Sequence, residues 1–269
     1  MRHKQVTNAK HSLRTLLLFC SIVGFLIIGS LVVRTIQLVQ TSQYNGENRI
    51  TLAFVHENTD LTLISFDPKA KALSRLEVEG VYNIEDAKRA VGVFTDATVT
   101  LSQDYTPDKS FPSYLRASLF PSGVRSDLSS FDTVRLLLAT QGLNTSEIKS
   151  EVIRLPLDRV LIDAITQELF FDTAMSEENS AIEIVNGTDT AGLGSRLERA
   201  ISTMGGTVIS VKNADKLEEV SSIRYYGDKT YTVERLEKIL DMPSQFKEGR
   251  GLSDIIITVG EDKEETFSY

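Results

Sequence analysis

The sequence predicts an α+β protein carried on a membrane stem: an N-terminal transmembrane helix, a mixed α/β outer domain and a C-terminal βαββαβ module of the split-βαβ, ferredoxin-like kind. Three observations predict it. Thr15 to Val33, TLLLFCSIVGFLIIGSLVV, holds no ionisable group except Cys20. Residues 50–79 fall into three runs of β-type residues broken by turn residues. Beyond Ala181, strand-type and helix-type periods follow one another as β-α-β-β-α-β.

The stem comes first. About 19 apolar residues at 1.5 Å rise span roughly 28 Å, close to the hydrocarbon thickness of a bilayer. Arg2, Lys4, Lys10 and Arg14 precede the run, and the first 40 residues contain no acid. That asymmetry places residues 1–14 in the cytoplasm and the bulk outside, with 15–36 as a signal-anchor helix. A cleaved signal peptide and a buried core helix compete with this reading; the run is longer than a usual signal core, and RTIQLVQTSQYNG offers no A-x-A-like cleavage site. Cys20 follows Phe19, where a lipid-bearing cysteine needs a small residue. As the single cysteine of the chain, it allows no internal disulfide and no Cys-based zinc site.

Residues 37–48 read as a polar, turn-rich spacer, and 49–171 as the mixed α/β domain. RITLAFVHENTDLTLISFDPKAKALSRLEVE reads as an antiparallel meander turning near Asn58 and at Asp67-Pro68-Lys69, with LTLISF covered on both faces. Tyr82 to Phe94 reads as a helix capped by Asn83. The proline-rich stretch 95–127 reads as loop with short elements. Ser129 to Thr140 has an N-cap serine and a leucine-rich face, stopping at Gly142. EVIRLPLD is a short strand and RVLIDAITQELFF a closing helix.

Residues 172–180, DTAMSEENS, read as an acidic, flexible linker. The module over 181–262 then runs strand 181–185, helix 191–204, strand 207–211, strand 222–226, helix 232–240 and strand 254–259, with both helices on one face of a four-stranded sheet. Residues 263–269 read as a frayed acidic tail.

Charge narrows the function. The chain has 29 Lys and Arg against 37 Asp and Glu; five of the bases lie in the first 40 residues, so the outer part carries 24 against 37, near −13. That balance opposes nucleic-acid binding, which draws on positive patches. His3 and His11 lie on the cytoplasmic side and leave His56 alone outside, so no histidine-based metal site or triad forms there. No metal or cofactor is expected. Asp60 and Glu57 as cation ligands compete with their reading as solvated hairpin acids, and Glu177-Glu178 and Glu218-Glu219 read as surface.

The stretch IEIVNGTDTAGLGSRLERAISTMGGTVISVKN places Asn186, Gly187, Thr188 and Gly192 between a strand and a helix. Backbone amides there suit an anion or glycan contact. The segment lacks the lysine of a P-loop and the G-x-G-x-x-G order of a dinucleotide site, so the competing reading is geometric: a turn tolerating positive φ at Asn186-Gly187 and close packing at Gly192. Tyr225 and Tyr226 alternate across a strand, one inward and one outward, and an outward tyrosine suits stacking on a sugar ring. These six residues are the ligand-binding candidates; no catalytic residue is assigned.

The strand-Asn-Gly-Thr-x-x-x-Gly-Leu opening, Asn213-Ala214, the paired tyrosines in IRYYGDKTYTVERLEKIL and the closing SDIIITVGED together resemble the C-terminal domain of LytR/CpsA/Psr cell-envelope proteins over 181–262. The resemblance implies a bacterial, membrane-anchored, extracytoplasmic protein. In that family the preceding domain is a phosphotransferase that moves glycopolymers from lipid carriers to peptidoglycan, using arginines and aspartates around a pyrophosphate and Mg²⁺. NTDLTLISFDPKAKALSRLEVE is similar to its opening hairpin, but only Asp60 and Thr62 match the first motif. His56, Glu57 or Asn58 stands where that motif has arginine, and Glu77-Val78-Glu79 replaces Pro-Arg-Asp. An active site would need convergence among Arg75, Arg89, Arg116, Arg125 and Arg135. The expectation is therefore a binding or scaffolding protein in cell-wall assembly, touching the bilayer through 15–36 and either wall glycan or another envelope protein, with no nucleic acid. A glycopolymer phosphotransferase, active or vestigial, is the alternative. A transcriptional attenuator, which the family's historical name suggests, finds no DNA-reading fold in about 14 cytoplasmic residues.

Overall fold

The computed structural model describes residues 18–30, 32–34, 42–56, 60–80, 83–101, 110–119, 124–143 and 148–267. They fall into two compact units, residues 1–42 and 43–269. In the first, residues 18–30 and 32–34 are helical, and Leu18, Phe19, Phe25, Leu26 and Ile28 are all more than half exposed. Among the described residues no helix is long and apolar enough to cross a membrane. Both ends of the span expected over 15–36, and the whole of 1–14, lie outside the described residues.

The second unit begins earlier than the spacer reading implies. Tyr44 is 2% exposed, its amide and that of Gln43 donate to Asp132, and Arg135 donates to the carbonyls of Tyr44 and Asn45. A polar stretch is thus held by a buried carboxylate and a guanidinium 90 residues away, partners that local sequence does not reveal.

The meander forms as predicted: β1 (Ile50–His56), β2 (Asp60–Asp67) and β3 (Ala72–Glu79) pair antiparallel. Asp67 accepts the amides of Lys69 and Ala70 and fixes the second turn. The first turn, at 57–59, lies outside the described residues. β4 (Ala97–Leu101) adds parallel to β1, the short β5 (Arg125–Ser126) closes that edge, and β6 (Ile148–Arg154) adds parallel to β3. The sheet order is β5-β4-β1-β2-β3-β6.

Period-2 alternation sends the two sets of side chains to opposite faces, and both are covered. Leu52, Phe54, Ile64 and Phe66 pack with Leu115 of α2 (Phe111–Leu119) and Leu136 of α3 (Ser130–Ala139). Val55, Leu63, Leu76 and Val78 pack with Val91 of α1 (Ile84–Val91) and with Ile162 and Phe170 of α4 (Arg159–Phe170). The result is a three-layer α/β/α domain, each large side chain contributing about 1.5–3 kcal/mol on burial. Ser129 and Asp158 cap α3 and α4. Within 95–127, β4 and α2 are better formed than the prolines suggest; Pro112 sits in the first turn of α2, where a missing amide costs nothing.

Residues 172–180 are an ordered joint and not a flexible linker. Asp172 caps α5 (Thr173–Glu178), Asn179 ends it in the left-handed region at φ 47, and Met175 is buried in the terminal core. The hydroxyl of Tyr231 donates to Asp172 at 2.5 Å; burial, together with the adjacent Asp172 carboxylate, pushes that phenol far above its ordinary range. Glu178 accepts the amides of Tyr231 and Thr232, both at 2.8 Å. Burial raises its carboxyl pKa, but these bonds outweigh burial and hold it below the usual glutamate value. The acid read as surface therefore caps a helix more than 50 residues downstream.

The terminal domain contains β7 (Ala181–Asn186), α6 (Leu193–Thr203), β8 (Thr207–Asn213), β9 (Ser222–Tyr225), α7 (Tyr231–Leu240), β10 (Ser244–Phe246) and β11 (Ile255–Val259). The predicted element order holds, with β10 added. The predicted split-βαβ, ferredoxin-like pairing does not: the order is β10-β9-β11-β7-β8, so β7 and β8 are adjacent and parallel, and β11 lies on the other side of β7, also parallel. An added Cβ on Gly194 would lie 2.7 Å from Val211 of β8 and 3.8 Å from Ile184 of β7, so α6 packs closely over this adjacent pair. Both helices do share one face: Ile182, Ile184, Leu197, Ile201, Val233, Leu236, Ile255 and Ile257 form one cluster.

The two sheets belong to one compact unit, 43–269. Arg235 of α7 meets Asp96 with both guanidinium nitrogens, at 2.5 and 3.0 Å, their side chains 3% and 0% exposed. Burial lowers the arginine pKa, but Asp96 outweighs it and holds the guanidinium above its ordinary value. Arg199 of α6 bonds Asp163 of α4 and the carbonyls of Arg89 and Ala90. The predicted frayed tail is also packed: a 3₁₀ turn (Glu261–Lys263) leads into the single turn α8 (Glu264–Phe267), and Phe267 is 8% exposed against Phe94. One aromatic ring decides its fate over four neighbouring acids.

Candidate functional site

The glycine loop after β7 is closed on itself. Asn186, 6% exposed, accepts from the amide and the hydroxyl of Thr188 and donates to the carbonyl of Thr190. The Thr190 amide donates to the Thr188 hydroxyl, and the Thr190 hydroxyl donates to Glu264. Gly187 donates to Val259 at 2.8 Å and accepts from Glu218; a Cβ on it would stand 2.8 Å from the Val259 carbonyl. Gly192 precedes α6 at φ 77, a conformation that favours glycine. The amides of Thr188 and Thr190 are thus already bonded, and Glu264 faces the loop with negative charge. The arrangement does structural work at the end of β7.

Tyr225 and Tyr226 lie at the other end of the sheet. Tyr225 pairs with Ile255, which pairs with Ile182, four residues and roughly 13 Å along the strand from Asn186. Tyr225, the last residue of β9, packs on the core and against Phe246, while Tyr226, beyond the strand, lies under Lys247, whose ammonium is 5.8 Å from the ring centroid. Asn186, Gly187, Thr188 and Gly192 form one cluster; the two tyrosines form another.

The hairpin residues singled out by resemblance do converge. In register, His56 opposes Asp60, Thr62 opposes Glu77, and Glu79 opposes Arg154. All lie on the face that carries Phe54 and Ile64, at its polar end. With Tyr114 of α2, 6.4 Å from the His56 ring, they line a cleft of about 600 Å³. Its cations are engaged by acids: Arg154 bonds Glu79 at 2.7 Å, and Arg75, beside the cleft, bonds Glu77. With Glu77 and Glu79 held by arginines, the cleft is a poor donor set for the Mg²⁺ that the resemblance implies, and among the described residues no three His, Cys, Asp or Glu side chains converge to hold a metal. Glu57 and Asn58 lie outside the described residues.

Of the five candidate arginines, Arg75 stands beside the cleft and the other four sit on other elements. Arg89 pairs with Asp86 on α1, Arg116 is on the last turn of α2, Arg125 is on β5 and Arg135 holds Tyr44 and Asn45. Arg154, which does line the cleft, was not singled out in the sequence, because its place opposite Glu79 depends on the pairing of β3 with β6. A second cavity, lined by Lys88, Arg89, Arg196 and Arg199, was not legible in the sequence because its walls come from segments over 100 residues apart; the i, i+3 pair Arg196 and Arg199 on an amphipathic helix was the available signal.

Residues 179–262 match the family model described as LytR cell envelope-related transcriptional attenuator. No curated protein matches the chain. Among solved structures, the transcriptional regulator yvhJ from Bacillus subtilis is 11% identical at TM-score 0.32, covering 40% of this chain and 83% of that one. The putative transcriptional factor Lmo1026 from Listeria monocytogenes is 6% identical at TM-score 0.29, covering 40% and 80%. Lin1025 from Listeria innocua is 10% identical at TM-score 0.20, covering 82% and 94%.

Proposed function

We propose, from the premise that residues 179–262 are a LytR-type cell-envelope domain, that the chain is a single-pass envelope protein that binds or scaffolds at the cell wall and transfers no phosphoryl group. The bulk stands outside the membrane and residues 15–36 anchor it. Uncharged composition over 15–33 and the exposure of Leu18, Phe19 and Phe25 support the anchor, since such a surface is costly in water.

The observation that carries the binding role is the acid-lined cleft. Asp60, Glu77 and Glu79 occupy the face where a pyrophosphate would need cations, and Arg75 and Arg154 are already bonded to the two glutamates. A carboxylate about 5 Å from a phosphate oxygen opposes it by about 3 kcal/mol at an effective dielectric near 20. Wall glycan or another envelope protein is the partner in this reading. Convergence of Asp60 and Thr62 in one cleft favours a vestigial phosphotransferase as the second reading.

The test uses the full chain in lipid nanodiscs. Purified wall glycan should co-sediment with it, and lipid-pyrophosphate-linked glycan with Mg²⁺ should release no more lipid phosphate than empty nanodiscs. Turnover that disappears in Arg75→Ala would overturn the binding role. Protease added to intact spheroplasts should digest 43–269; its survival there would remove the extracytoplasmic placement.

A further inference from the structure

We propose that the second cavity binds a small amphiphilic anion, one carboxylate or phosphate on a compact apolar body. It lies where α1, the loop after it, α6, the end of α7 and α8 meet, so both halves of the 43–269 unit build its walls. Its volume is about 250 Å³, room for roughly eight water-sized groups at about 30 Å³ each.

The floor is apolar. Phe94, Leu197, Ile239 and Phe267 form it, and the rings of Phe94 and Phe267 meet edge to face, 6.2 Å between centroids at 87°. The rim is basic. Lys88, Arg89, Arg196 and Arg199 line the cavity and no carboxylate does, in a chain with 37 acids against 29 Lys and Arg. Asp163 and Asp86 pair with two of the four, so the rim keeps a positive excess, which complements an anion.

The cations differ in their engagements. Arg199 is bonded to Asp163 and to the Arg89 and Ala90 carbonyls, and fixes the wall. Arg89 reaches Asp86 at 3.5 Å across exposed surface, a weak pair. Arg196 gives its Nε–H to the Phe267 carbonyl, while its Nη2 is buried with no hydrogen-bond partner. A guanidinium N–H without an acceptor is unfavourable, and a small turn of the Arg196 side chain toward the cavity would let an anion there supply one. A purely apolar guest would leave Nη2 unsatisfied, and a purely ionic one would leave the aromatic floor wet. One molecule with both parts satisfies both.

Isothermal titration of the full chain in nanodiscs, with empty nanodiscs as blank, tests this with 3-phenylpropionate and phenyl phosphate. Saturable one-to-one binding of at least one is expected, the two arms telling carboxylate from phosphate. Arg196→Gln, which keeps a donor for Phe267, should weaken binding by about tenfold or more, and Lys88→Ala with Arg89→Ala, at the rim, should weaken it without lowering the melting temperature. The neutral 3-phenylpropanamide should bind at least tenfold more weakly. No saturable binding of either anion by the folded chain, or equal affinity for the amide, overturns the proposal; so does unchanged affinity in both the Arg196→Gln and the rim variants.

Discussion

Removing either partner of the Asp96–Arg235 pair should be the most damaging single change in the outer unit. Asp96 accepts from Arg235 at 2.5 and 3.0 Å and from the Thr51 amide at 2.7 Å, and lies 3.6 Å from the Lys238 ammonium. Both members of the main pair are almost fully buried, so deleting one leaves an uncompensated charge, at about 3–5 kcal/mol. At about 2–4 °C per kcal/mol for a unit of this size, Arg235→Met should lower the melting temperature by about 6–20 °C. Asp96→Leu should be worse, because it strands two cations and the Thr51 amide. Burial already pulls the Lys238 pKa down against the pull of Asp96, and without that acid the ammonium keeps the repulsion of Arg235 and only the weaker attraction of Asp132. The double variant Asp96→Leu with Arg235→Met should recover most of the loss, since apolar replacement of a whole buried pair is close to neutral. Circular dichroism melts of the four proteins give the coupling directly. A shift under 2 °C for Arg235→Met, or additive effects in the double variant, would refute the reasoning.

Gly187→Ala should destabilise by about 1–3 kcal/mol, because its Cβ would meet the Val259 carbonyl at 2.8 Å; Gly194→Ala should cost less, since Val211 is a side chain on a half-exposed strand; chemical denaturation separates the two. Asn186→Ala removes three bonds of the loop and should cost about 1–3 kcal/mol in the same assay. Glu178 has a depressed pKa, so its contribution is full above the ordinary value of 4.5 and lost as pH falls through the folded value; Glu178→Gln should flatten that acid limb in melts taken from pH 5 downward. Glu79→Ala should change stability by under about 0.5 kcal/mol, since its arginine partner is 79% exposed.

The meander was legible because its runs are rich in β-type residues and turn residues sit between them; those signals are local. The lateral order of the terminal sheet was not, because periodicity says which residues share a face and nothing about which strand lies beside which. The close seat of α6 at Gly194 was equally hidden, since it depends on Val211 across space. Glu178 was unreadable for a similar reason: its acceptor role needs the amides of Tyr231 and Thr232, which folding brings to it. Phe267 was hidden among acids, and only its contact with Phe94 shows why the segment is ordered. At the candidate site, the loop residues 186–192 were found as a cluster because they are adjacent in sequence. The acid cleft was found through motif positions, and the basic cavity, assembled from four distant segments, was not found at all.

The joint at 172–178 also bears on how the terminal module can be excised. Cutting at residue 179, where the family match begins, discards the Asp172 acceptor of the Tyr231 phenol, the Met175 plug of the terminal core and the carboxylate seated on the first amides of α7. The smallest piece that carries its own latch therefore starts at Phe171 or earlier, and a shorter one would expose an apolar scar and a phenol that has lost its acceptor.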